Sequence, residues 1–190
     1  MNKGFTLIEI MISVVILGLL IVIIFSVYNT VAELSIRIEN EKNLSNELLF
    51  VSQNIQGFAD SLSLDFSKYS DLDTTKGFTG SLYFTGNDFV NIYLTGDTSS
   101  DIDNIRNSKS WIEMNKNGEI MKLTDPNKIY IRNLNFKIIP FDEIRGLDFD
   151  KIYNQGFWIF VEAYTNNYSK YSSVYDISSN VQAFFNVRQY

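Results

Sequence analysis

The sequence predicts an α+β protein: one long N-terminal helix, transmembrane first and then amphipathic, packed on a mostly antiparallel β-sheet. Three observations predict it. Residues 10–28 are almost uninterrupted apolar sequence. The residues after them keep a helical period without proline to about position 62. Beyond that point the apolar spacing changes from helical to alternating, with Gly and Asn where the chain must reverse.

The segment IMISVVILGLLIVIIFSVY (10–28) is broken only by Ser13, Gly18 and Ser26. It reaches the length a helix needs to cross a hydrocarbon core of roughly 30 Å. A secretory signal has a shorter apolar core and a small-residue cleavage site after it, and neither is found here. A plain anchor explains the apolar run, and Lys3 ahead of it sets the N-terminus on the cytoplasmic side. It does not explain Glu9. An ionisable group inside an apolar segment is costly and is usually functional, with a partner. The simpler alternative is a side chain that snorkels to the nearby interface.

The helix is expected to continue. Val27, Val31, Leu34 and Ile38 follow 4-3-4 spacing, and Leu44, Leu48, Val51, Ile55, Phe58 and Leu62 follow 4-3-4-3-4. Both series mark an apolar stripe. Between them, around Glu39–Asn43, the stripe rotates or the helix bends. Glu33, Arg37, Glu39, Glu41, Lys42 and Glu47 are expected largely on the solvated face. A continuous helix from Phe5 to Leu62 would span about 85 Å at 1.5 Å per residue.

The rest reads as strands. Residues 81–86 and 89–96 pair around Gly86-Asn87-Asp88, and 111–123 folds as a hairpin across Asn115–Gly118, where Asn117-Gly118 is a strong turn signal. Residues 128–141, 158–165 and 174–187 follow. Alternation at Ile129/Ile131 and Phe136/Ile138 supports half-buried strands, and Pro140 ends its strand or marks an edge. Fifteen Phe and eleven Tyr in 190 residues also favour pleated surfaces. The chain contains no internal repeat.

Composition removes several chemistries. With no Cys and no His, disulfides, thiolate or imidazole metal sites and Ser-His-Asp triads are excluded. A net charge of −6 gives no broad basic surface for nucleic acid, so no nucleic-acid partner is expected. No cofactor is expected either.

The stretch Lys3-Gly4-Phe5-Thr6-Leu7-Ile8-Glu9 followed by the apolar run resembles type IV prepilins and type II secretion pseudopilins. The family pattern is a short basic leader ending in Gly, then Phe-Thr-Leu-[Ile/Val]-Glu, then about twenty apolar residues. The resemblance implies a pilin-like fold and cleavage between Gly4 and Phe5 by a membrane prepilin peptidase, with N-methylation of Phe5. It also implies that Glu9 of an incoming subunit neutralises the Phe5 amine of a neighbour during assembly. Physically, two opposite charges in one low-dielectric layer cost much less together than apart. Ser26 stands where major pilins often have a Pro, which departs from the major-pilin pattern. More loosely, 129–143 and the ending Val181…Phe184-Phe185-Asn186-Val187-Arg188 resemble minor pilins and the J-type minor pseudopilin.

The resulting division is a leader (1–4), a transmembrane helix and filament core (5–28), an amphipathic continuation (29–64) and an extracytoplasmic β-rich head (65–190). The expected function is a minor pilin or pseudopilin that primes or caps a type IV pilus or secretion pseudopilus, and not an enzyme. It would sit as a single-pass protein of the cytoplasmic membrane, head outside, before entering a filament through its N-terminal helix with other pilins or pseudopilins as partners. Alternatives are a major pilin, a tip adhesion or DNA-uptake receptor, or an anchored enzyme outside the family.

Other constellations carry weaker signals. Asp71/Asp73 and Asp101/Asp103 are acidic pairs that could serve calcium, although acidic loops are commonly just solvated. Asp142, Glu143, Asp148 and Asp150 suggest paired carboxylates, with nothing to fix their separation. Trp111, Trp158, Tyr164, Tyr168, Tyr171 and Tyr175 could stack on a ligand, but core and sheet-face packing is the better reading.

Overall fold

A computed structural model describes residues 6–69, 77–97, 109–139, 156–165 and 177–187. Helix α1 runs Leu7–Ser61. The chain forms two compact units, residues 1–39 and 40–190, taken here one at a time.

In the first unit every described residue, through Glu39, is solvent-exposed in the isolated chain. Valine and isoleucine are modest helix formers in water, but in lipid a helix is one of the few ways to satisfy every backbone group. The few hydroxyls follow the same rule. Ser13 Oγ donates to the Glu9 carbonyl (2.7 Å) and Thr30 Oγ1 to the Ser26 carbonyl (3.0 Å).

The second unit takes Asn40–Ser61 of α1 into its core. Leu44, Leu48, Val51, Ile55 and Ala59 are buried, followed by Leu62 just past the helix end. The stripe thus follows the predicted spacing to Ile55. At the last turn Ala59 takes the innermost position, and Phe58 leans on the core with its ring 6.2 Å from that of Phe84. Asn40, buried, heads the stripe, where the sequence placed its rotation.

After β1 (Ser63–Leu64) comes a short 3₁₀ turn, Phe66–Tyr69. The strands β2 (Phe78–Thr79), β3 (Ser81–Thr85), β4 (Val90–Gly96), β5 (Ser110–Lys116), β6 (Glu119–Lys122), β7 (Ile129–Ile139), β8 (Gly156–Thr165) and β9 (Ser178–Asn186) follow. They form two antiparallel sheets, one ordered β1-β3-β4-β5-β6 and the other β2-β7-β8-β9. The antiparallel pairing is as expected, with the strands divided between two sheets. β3–β6 is an antiparallel meander, while the long strands β7 and β8 pair with each other and recruit β2 and β9. The two-residue strands β1 and β2 are too short to leave a period in the sequence.

The β5–β6 reversal has the two-residue loop the sequence predicts. Asn117 and Gly118 both take positive φ, 52° and 96°, as a type I′ turn requires. Asn117 also ties this hairpin to the β3–β4 turn: its Oδ1 accepts from Phe89 N–H (2.8 Å), its N–H donates to the Phe89 carbonyl (2.9 Å), and its Nδ2 donates to Asp88 (2.7 Å). Gly156 serves a close approach, since a Cβ there would lie 2.6 Å from the Phe184 ring on β9.

The sheets meet through aromatic rings and buried hydroxyls. Phe157 of β8 lies 5.8 Å from Phe84 of β3, 6.4 Å from Phe136 and 5.3 Å from Phe185. Ser110 Oγ on β5 donates to the Ile131 carbonyl on β7. Glu47 corrects another expectation. It is not a solvated charge: its carboxylate accepts from Lys128 Nζ (2.9 Å) and from Asp125 N–H (3.0 Å), fastening the helix to the turn before β7. Glu33, Arg37, Glu39, Glu41 and Lys42 are exposed as expected.

Candidate functional site: the capped start of the apolar helix

The first described residues build a local polar cluster on an apolar helix. Thr6 N–H and Thr6 Oγ1 both donate to Glu9 Oε2, each at 2.8 Å. In return Glu9 N–H reaches Thr6 Oγ1 (3.4 Å) and the Thr6 carbonyl (3.1 Å). This is a reciprocal capping box: a Thr at the N-cap and a Glu three residues on satisfy each other's backbone donors. The carboxylate also lies at the positive end of the helix dipole, which favours an anion there.

Glu9 therefore does two things at once. It is an ionisable group in an apolar segment, and it closes the N-terminus of that segment's helix. The reading missed Thr6, although the signal was present in the Thr6-x-x-Glu9 spacing itself. Around the cluster, Leu7, Ile8, Ile10 and Met11 are all more than half exposed. The apolar surface continues without charge to Glu33. Gly18 has open space about it, for a Cβ there would meet no atom within 4 Å. The chain's own packing does not require glycine at that position, whereas a helix packed closely against it could use the gap.

Gly4 and Phe5, the expected cleavage and methylation positions, lie outside the described residues. So do Asp71, Asp73, Asp101 and Asp103, the calcium candidates, and Asp142, Glu143, Asp148, Asp150, Pro140, Tyr168, Tyr171 and Tyr175. Among the described residues no group of three or more acidic side chains is placed to hold a metal ion. The remaining aromatic candidates are sheet-face residues. Trp111 donates to Glu113 (2.7 Å) and lies beneath Lys122, whose Nζ is 4.1 Å from the ring centre. Trp158 packs on Phe184 at 5.3 Å. Tyr164 donates to Glu162 (2.7 Å), which also pairs with Arg132 (3.0 Å), beside the bulge between Ile131 and Asn133.

The class defined by these features is a membrane-anchored, single-pass protein of α+β, pilin-like architecture. One helix among the described residues is long and apolar enough to cross a membrane. Residues 1–25 match the family model described as a prokaryotic N-terminal methylation motif. The chain thus carries the type IV pilin and pseudopilin signal, which is the substrate site of prepilin peptidase. Neither the curated proteins nor the solved structures contain a match to the chain.

Proposed function

We propose that the protein is a minor pilin or pseudopilin, a structural subunit and not an enzyme, which primes or caps a type IV pilus or a secretion pseudopilus. The observation that carries this reading is the capped Glu9 at the head of an exposed apolar helix. In the membrane, Thr6 supplies the carboxylate with two donors and so reduces the cost of keeping an anion there. On assembly, the cationic amine created by cleavage before Phe5 in a neighbouring subunit offers a stronger, charge-assisted partner. That exchange gives the helix a reason to leave lipid and a register in which to stop.

The minor role is supported by the absence of proline from the membrane segment and by the aromatic-rich head. Because Glu9 needs a neighbour's amine, the subunit belongs beneath another subunit and not at the extreme tip. The N-terminus lies on the cytoplasmic side, with Lys3 before the span, and the head outside.

Glu9→Lys tests the proposal. Cleavage before Phe5, read by mass spectrometry of the mature N-terminus, should persist, whereas recovery of the protein in sheared filaments should fall to background. Normal incorporation of the variant would sink the assembly role. Recovery of the unaltered protein as the bulk filament component would overturn the minor assignment alone.

A further inference from the structure

The edges of the two sheets are not alike. Native edges are commonly protected by shortness, charge, proline or a bulge. β1 and β2 have two residues each, and β6 has four, including Glu119 and Lys122. β9 has none of these protections. Its nine residues, SSNVQAFFN, include no charge and no proline, and its register with β8 runs unbroken from Gly156↔Asn186 to Tyr164↔Ser178. Among the described residues β9 pairs with β8 alone.

The direction of its backbone groups follows from one bond. Thr165 N–H donates to the Ile177 carbonyl at 2.9 Å, and bonded positions alternate along an antiparallel ladder. Ser179, Val181, Ala183 and Phe185 therefore face β8 with their N–H and C=O groups. Those of Ser178, Asn180, Gln182, Phe184 and Asn186 point away from it, and all five residues are exposed. On the inner side Val181 and Ala183 pack against the core but are only half-buried, so the core is left open along this strand. On the outer side Phe184 (41% exposed) continues an aromatic row with Trp158 (37%).

We propose that the outward edge of β9, unpaired among the described residues, is a docking site for an extended, uncharged segment of another polypeptide, which adds to the sheet as a fifth strand. Backbone pairing supplies the affinity and alternate side chains the selectivity. The fitting segment carries apolar residues at alternate positions, to close over Val181 and Ala183. A neutral segment is favoured over a second whole copy by charge: each copy carries −6, and edge-to-edge contact would bring two acidic bodies together. This inference is independent of the proposed filament role.

The test uses the full chain in lipid nanodiscs and a labelled peptide copying residues 178–187, which is neutral and alternating, carried on an uncharged solubilising tail. Fluorescence anisotropy should show saturable binding that changes less than about twofold between about 0.05 and 0.5 M salt, because screening acts on charge and not on backbone pairing. Gln182→Pro removes an outward N–H while leaving the β8 ladder intact, and should weaken binding by at least about tenfold with an unchanged circular dichroism spectrum. Should that variant unfold, Gln182→Lys with Phe184→Lys blocks the same edge by charge and is expected to give the same loss. Absent binding, equal binding by the edge variants, or a steep fall with salt would overturn the proposal. So would a dimer of the full chain abolished by the edge variants, which would make a second copy the occupant.

Discussion

Leu7–Glu39 and Asn40–Ser61 belong to one helix, yet their apolar side chains live in different solvents. Ile21 is 58% exposed in the isolated chain and Ile55 fully buried. The first stretch is apolar on all sides as far as Tyr28, so no face of it is set apart for a protein core. The second has one stripe, and the stripe is what the sheets cover. Backbone conformation is thus a poor guide to environment, while the distribution of apolar residues around the helix is a good one.

The largest effect that could break this contrast comes from equal truncations in the two stretches. Ile55→Ala should cost the head about 2–5 kcal/mol, as large-to-small changes in a packed core do. Ile21→Ala should leave the head's stability unchanged. Denaturant melting of the full chain, followed by the fluorescence of Trp111 and Trp158, reads the second unit specifically. Comparable shifts from both variants would mean that the first stretch contributes to the head's fold.

Asn117 provides a medium-sized test confined to the second unit. Alanine there loses the acceptor for Phe89 N–H and the donor to Asp88, and is strained at positive φ. A loss of about 1–2 kcal/mol is expected from the bonds and the turn together. Asn117→Gly keeps the backbone freedom and should lose only the side-chain bonds, so it should be the milder variant. Equal losses would show that φ plays no part at this turn.

Much of this was legible beforehand, for reasons that can be named. The span, the stripe to Ile55 and the Asn117-Gly118 turn each have a local signature, and all three appear where the spacing put them. Residues 128–141 and 158–165 were legible as strands, but not which sheet each would join, since that depends on long-range pairing. Burial by a partner distant in sequence also escaped notice. Glu47 reads as one more surface charge until Asp125 and Lys128, far along the chain, meet it. At the functional site Glu9 stood out because a charge in an apolar run is conspicuous. Thr6 did not, because a hydroxyl there is unremarkable until the three-residue spacing is read as a cap.

The smallest expected effects are those of pH, and they too belong to the second unit. Lys116 and then Asn117, hydrogen-bonded to Asp88, hold its carboxyl below the usual range. A depressed folded-state pKa gives stability that is present above the unfolded carboxyl's pKa and is lost as pH falls through the folded value. Glu47 raises the Lys128 ammonium above its usual 10.5, so that pair's contribution is complete below the unfolded lysine's pKa and is lost as pH rises through the folded value. Burial pushes the Tyr69 phenol upward as well, and it acts with the same sign as Lys128 on the alkaline side. The head's melting temperature should therefore be flat around neutrality and decline on both flanks. Asp88→Asn should flatten only the acid flank and Lys128→Met only part of the alkaline one, the remainder being shared by Tyr69, Tyr93 and Tyr164, whose phenols burial also raises. An acid flank unchanged in Asp88→Asn would assign it to other carboxylates and leave the Asp88–Lys116 pair without a measurable role.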